Sequence, residues 1–267
     1  MNLDRAMEMY KAEHPHVQFE VTWTPFNLDP KAKVSAEHPR SRSNQADNNN
    51  PNFPKPKACE KKEYLLNQLG PAGAQAFRAR VEAEAAALGV KVNWEGRCGN
   101  TRDSHILLLL AARRRQQQQQ RGHHRRAATA PGPPPVFQEL LGALCRGVFE
   151  EGMDVSDRCF LVKTAVRVGL RAESSRGCDD EGDMEGEKDG ETRREDGEAE
   201  EALLRWLDSD EARAEADALD KYAKEVAGIA AVPSYIVQGR YRVGGKQDPE
   251  VFLRLFERLE SAAVNGE

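Results

Sequence analysis

Residues 228–245 read GIAAVPSYIVQGRYRVGG, a Val-Pro step, a short apolar run, a Gly-containing turn and a second short run that ends in two glycines. The pattern predicts two β-strands, Ser234 to Val237 and Tyr241 to Val243, joined by a tight turn at Gln238-Gly239. A helix leads into the pair. Asp208 or Ser209 stands ready to cap it, acids fill its first turn, and Lys221 and Lys224 lie in its later turns, the polarity a helix dipole favours. Another helix leads out: Asp248 precedes Pro249 at the first helical position, and Val251, Phe252, Leu255 and Leu259 form its apolar stripe.

The opening residues supply matching parts. In LDRAMEMYKAEHP, Leu3, Ala6, Met7 and Tyr10 share one stripe of a helix that ends before Pro15. In VQFEVTWTPF, Val17, Phe19, Val21 and Trp23 alternate with polar residues, which predicts a half-buried strand ended by Pro25. Between these two ends the chain reads as helical. Lys61 to Leu69 is a helix stopped by Gly70-Pro71, and Ala74 to Leu88 is a second, capped by Gly89. A Gly-rich turn, GRCGN, then precedes a helix that begins near Asn100 or Thr101, both good N-caps. Val136 to Glu150 and Asp157 to Val168 complete the set.

Three segments have too little apolar surface to offset the entropy of ordering. They are residues 31–58, rich in Pro, Asn and Ser; 113–135, which holds six arginines and a Gln run; and 172–201, with 14 acidic residues against 4 basic ones. All three are expected to be low-complexity, disordered insertions. The acidic segment alone outweighs the formal net charge of −5, so the rest of the chain is basic on balance. The arginine tract has no interleaved aromatic residue and no recognised motif around it, so nucleic acid is not expected as a partner. His123 and His124 lack partners at ligand spacing, and no metal site is expected. No apolar run is long enough to span a membrane. Five cysteines, Cys59, Cys98, Cys145, Cys159 and Cys178, are irregularly spaced and include no C-x-x-C, which argues against a secreted disulfide framework. Cys59 and Cys178 read as incidental, and Cys145 and Cys159 as small buried residues of helices.

The segments AMEMYKAEHPHVQFEVTWTPFNLDP, KKEYL, GRCGNTRDSH, FEEGMDVSD, WLDSDEA and VPSYIVQGRYRVGGKQDPEVFL together resemble the DsbA-like thioredoxin proteins, in particular their FrnE-like subgroup. The resemblance implies an α/β class, a thioredoxin-like fold with an inserted all-helical domain, from which the first strand is absent. Residues 1–30 and 202–267 would form the discontinuous thioredoxin-like domain, and residues 59–171 the helical insertion.

The family's reaction is thiol–disulfide exchange with a protein or glutathione substrate. It implies that Pro233 is a cis-proline which, with Val232, shapes an edge for an extended substrate. In the family the preceding strand delivers a C-x-x-C, or a Ser-containing variant in glutathione-dependent isomerases and transferases, to the N-terminus of the first helix. The helix dipole and free N–H groups there lower the thiol pKa. This sequence begins with Met1-Asn2-Leu3-Asp4, so that strand and dithiol are expected upstream of Met1, and no catalytic residue is expected within the chain. An insulin-reduction assay on these 267 residues is accordingly expected to be negative.

The missing strand would lie between the Val17 to Trp23 strand and the Ser234 to Val237 strand, so unpaired inner edges are expected. By the same resemblance Cys98, Asn100, Thr101 and His105 border the substrate groove. Cys98 there is a lone thiol, able to form a mixed disulfide and unable to resolve it. No resident cofactor is expected, and glutathione is the one ligand left open, in contact with Asn100, Thr101 and the Val232-Pro233 backbone. A third reading is a redox-inactive module that binds extended peptides. The expected compartment is the cytoplasm, and any targeting segment would precede Met1. Oligomeric state is not legible.

Overall fold

The computed structural model describes residues 2–30, 59–122, 136–172 and 188–265. The whole first low-complexity insertion lies outside the described residues, as do His123, His124 and Cys178. The chain divides into two units: residues 1–28 with 219–267, and residues 29–218.

The first unit is built on two helices, α1 (Asn2–Glu13) and α8 (Pro249–Asn265), with the hairpin of β3 (Ser234–Val237) and β4 (Tyr241–Gly244). The hairpin is antiparallel, with Ser234 opposite Gly244 and Val237 opposite Tyr241. Its turn forms because Gln238 (φ 50) and Gly239 (φ 67) both take the left-handed conformation, which matches the twist of the flanking strands. The core of this unit is small: Ala6 and Tyr10 from α1 and Phe252 and Phe256 from α8 are buried, with Leu3, Met7, Val17, Phe19, Tyr235, Val243 and Leu253 packed around them. Of the expected α8 stripe, Phe252 is fully buried and Val251, Leu255 and Leu259 are half-buried, and the second buried residue is Phe256. One helical turn separates these two, so both lie on the face of α8 that shares the core with α1, where Phe256 meets Tyr10 edge-on.

Residues 17–24 depart from expectation. Val17, Phe19 and Val21 are half-buried and Gln18, Glu20 and Thr22 exposed, so the alternation is present. The segment is nevertheless not a strand, because no ladder joins it to a strand among the described residues. Alternation aims side chains, but a strand also needs a partner for its backbone groups. Trp23, expected on the inner face, is 45% exposed.

The second unit is helical. Its elements are β1 (Cys59–Glu60), α2 (Lys61–Ala86), β2 (Arg97–Cys98), α3 (Arg102–Gly122), α4 (Val136–Phe149), α5 (Arg158–Arg167), α6 (Lys188–Asp208) and most of α7 (Asp210–Lys221), which runs across the boundary into the first unit. α2 is broken at Gly70, whose φ of 68° is non-helical, with Pro71 following. Ile106, Leu107 and Leu110 of α3, Phe137, Leu140 and Leu144 of α4, Phe160 to Val162 of α5, and Leu203 and Leu207 of α6 form one core. The caps fall where side-chain oxygens allow: Asp157 accepts from the Cys159 N–H, and Ser209 from the Ala212 N–H.

Two expected loops are partly helical. α3 continues through Arg113, which pairs with Glu211 and Glu215, into Gly122, because Arg and Gln are good helix formers. α6 begins at Lys188, inside the acidic segment. Ala199, Leu203 and Leu207 repeat at helical spacing and are buried, and Arg171 pairs with Asp196, so apolar periodicity outweighs the charge. Cys145 is exposed rather than buried, and Cys159 is half-buried.

Candidate functional site

Val232 and Pro233 belong to the first unit, and Cys98, Asn100, Thr101 and His105 to the second. The Val232–Pro233 peptide is cis. Both residues are exposed, Val232 at 47%, and Pro233 passes directly into β3. The Pro233 carbonyl accepts from the Gly245 N–H, which extends the hairpin by one bond toward the loop. β3 pairs with β4 on one edge only, and among the described residues no strand pairs with the other. Ile236 adds 42% exposed apolar surface on the same short strand. The first unit thus presents an exposed Val-Pro step at the start of a strand whose other edge pairs with no strand among the described residues.

In the second unit Asn100 and Thr101 open α3. Asn100 Oδ1 accepts from the Arg102 N–H at 2.8 Å, the Thr101 carbonyl accepts from Ser104 Oγ and from the His105 N–H, and His105 sits half-buried on the first turn. Cys98 immediately precedes this helix start and lies on β2. It is not a lone thiol: β1 and β2 are antiparallel, Cys59 stands directly opposite, and the two Sγ atoms are 3.8 Å apart. Cys59, which reads in the sequence as incidental, is therefore the partner of the one cysteine singled out.

The ribbon that carries the pair is held tightly. Lys61 N–H donates to the Gly96 carbonyl at 3.0 Å. Gly96 has φ 89°, and a Cβ on it would fall 2.0 Å from the Gly152 carbonyl oxygen, so only glycine fits. Around the sulfurs, Lys61 Nζ donates to the Val148 carbonyl at 2.5 Å, and Tyr64 Oη donates to Asp29 at 3.2 Å. Burial pushes the Cys98 thiol up to about 12, with Cys59 and Asp154 adding to it and the Lys61 ammonium opposing it. Burial also lowers Lys61.

A second polar cluster occupies the first unit, where no role was expected. Glu260 accepts from Tyr10 Oη at 2.5 Å, from His14 Nδ1 at 2.9 Å and from His16 Nε2 at 2.7 Å, and the Tyr10 and His14 rings stack 4.2 Å apart. One donor atom from each of His14, His16 and Glu260 lies within 4.8 Å of the others, a set of types that Zn2+ accepts. Burial, then the Glu260 hydrogen bond, raises the Tyr10 phenol to about 12, and the Tyr10 hydrogen bond lowers Glu260. The signs fix two pH limits. The neutral phenol contributes stability that is complete below about pH 10 and is lost as pH rises through about 12. The Glu260 carboxylate contributes stability present above the ordinary carboxylate range and lost as pH falls through its lowered value. In an alkaline absorbance titration, Tyr10→Phe should remove one late-titrating phenol of the five tyrosines. Amplitude lost near pH 10 instead would contradict the assignment.

Neither a protein-family model nor a curated protein matches the chain. Among solved structures it is similar to a probable DsbA oxidoreductase from Streptomyces coelicolor, with a TM-score of 0.56 at 23% sequence identity, covering 96% of this chain and 82% of the other. The chain has a DsbA-type fold. That likeness accounts for the coexistence of a small helix-and-hairpin unit, discontinuous in sequence, with a helical unit between its halves. Within the DsbA-type fold the Val232–Pro233 loop and the α3 start were legible from the sequence. The Cys59–Cys98 pair was not, because its members are 39 positions apart with no motif linking them.

Proposed function

We propose that the chain is a DsbA-type member of the thiol–disulfide oxidoreductases, of the FrnE-like subgroup, which holds an extended thiol or disulfide substrate against the backbone beside the cis Val232–Pro233 bond. The observation that carries this reading is the exposed cis Val232-Pro233 step that leads into β3, on a DsbA-type fold. Main-chain hydrogen bonds to the Val232 backbone would supply affinity without demanding a particular sequence. Val232 and Ile236 would add apolar contact. The family's C-x-x-C is not in this sequence, so insulin reduction catalysed by such a motif is not expected of it.

The test is amide hydrogen exchange on the full chain, read by mass spectrometry, with an unfolded peptide and separately with glutathione. Peptide is expected to slow exchange of the Val232 amide and its immediate neighbours. Protection by glutathione alone would favour the glutathione-dependent isomerase and transferase class. Unchanged exchange there with both ligands would overturn the reading.

A further inference from the structure

We infer that Cys59 and Cys98 form a dithiol site in the helical unit, separate from any C-x-x-C, which a small disulfide such as glutathione disulfide oxidises to an intramolecular bond across β1 and β2. The geometry is already close to that of a disulfide. Residues directly opposite in an antiparallel ladder have Cα atoms about 4.5 to 5.5 Å apart, within the range of about 4.4 to 6.8 Å that the bond requires. The sulfurs need to approach from 3.8 Å to about 2.0 Å, a change that side-chain rotation supplies without moving the ribbon. Both side chains are half-buried rather than sealed in the core.

The surroundings divide the roles. Cys98 Sγ lies 3.6 Å from the Cys59 carbonyl oxygen, which accepts its S–H and holds this thiol back against the ribbon. Its raised pKa also disfavours the thiolate. Cys59 is therefore the attacking sulfur. It gives its proton to solvent, and its thiolate attacks one sulfur of glutathione disulfide, forming a protein–glutathione mixed disulfide and releasing one glutathione thiolate. Cys98 then loses its proton and attacks the Cys59 sulfur, which releases the second glutathione. Two protein thiols are oxidised and one glutathione disulfide is reduced to two glutathiones, with the two protons passing through solvent. The second step is short because the resolving sulfur already faces the first, and Lys61 beside the pair offsets the transient negative charge.

This site rests on contacts within residues 29–218 and is independent of the Val232-Pro233 step, so either proposal can fail alone. The experiment equilibrates the full chain in glutathione buffers of increasing oxidised fraction, quenches with acid, alkylates free thiols and maps peptides by mass spectrometry. Two of the five cysteines should disappear together and be recovered as one Cys59–Cys98 linked peptide. Cys98→Ser should stop at a glutathione adduct on Cys59, and Cys59→Ser should react at Cys98 about tenfold or more slowly. The wild-type chain needs no variant to fold. If its Cys59 and Cys98 stay separately alkylated in the most oxidising buffer, or carry separate glutathione adducts, the inference is overturned.

Discussion

Replacing Phe252 by alanine should cost about 3–5 kcal/mol, concentrated in the first unit. Phe252 has no exposed surface, and it is one of four buried residues of that core among the described residues. Its ring meets Tyr235 edge-on at 5.1 Å, with the planes at 79°. That contact ties α8 to β3, and β3 is the strand that Pro233 enters. Truncation removes the transfer free energy of the ring and leaves a cavity that a core of four residues has few side chains to fill. Hydrogen exchange reads the result by region. Opening free energies of α1 and α8 amides should fall by that amount, whereas those of α4 and α5 should not move, because the two cores share no residue. A fall below about 1 kcal/mol in α1 and α8 would mean that Phe252 does not hold this unit together.

The parts of the fold that were legible in the sequence are those decided by neighbours in the chain. Gln238-Gly239 is a turn because two consecutive residues must take positive φ, and α8 starts at Pro249 because Pro is preset for a first helical position. Gly70-Pro71 breaks α2 for equally local reasons. The misreadings share a different cause. Residues 17–24 carry strand alternation, but ladder pairing depends on a distant segment that alternation does not name. The acidic and arginine-rich segments read as loops by composition, but helix-forming Arg and Gln continue α3, and Ala199 of the acidic segment extends the buried face that Leu203 and Leu207 carry.

The candidate site divides along the same line. Val232-Pro233 and the Asn100-Thr101 helix start announce themselves in two or three adjacent residues. The Cys59–Cys98 pair depends on a register, Cys59 opposite Cys98 and Glu60 opposite Arg97, that forms only after α2 and the ribbon have folded back. The Tyr10, His14, His16 and Glu260 cluster likewise joins the first helix to the last, about 250 positions away, and no local pattern could have shown it.

Replacing Arg158 by methionine should destabilise the second unit by about 3–5 kcal/mol, although methionine fills much of the same volume. Arg158 is 8% exposed and donates to Asp103 at 2.6 Å and to Asp208 at 2.9 Å. It opens α5, where the helix dipole disfavours a cation, and Asp208 ends α6, where the dipole disfavours an anion. Each charge is tolerable there because of the other. Without Arg158, Asp208 still has Arg213 at 2.7 Å, so the loss falls mainly on Asp103, whose side chain is only 18% exposed. Asp103 lies in the first turn of α3, two residues after Thr101, so the damage should spread to the helix start beside Cys98. A double-mutant cycle in urea separates charge from packing. Asp103→Asn should be costly alone but should recover about 1–3 kcal/mol when added to Arg158→Met. If the two losses simply add, Arg158 acts as packing, and the buried ion pair is not what anchors α3 to α5.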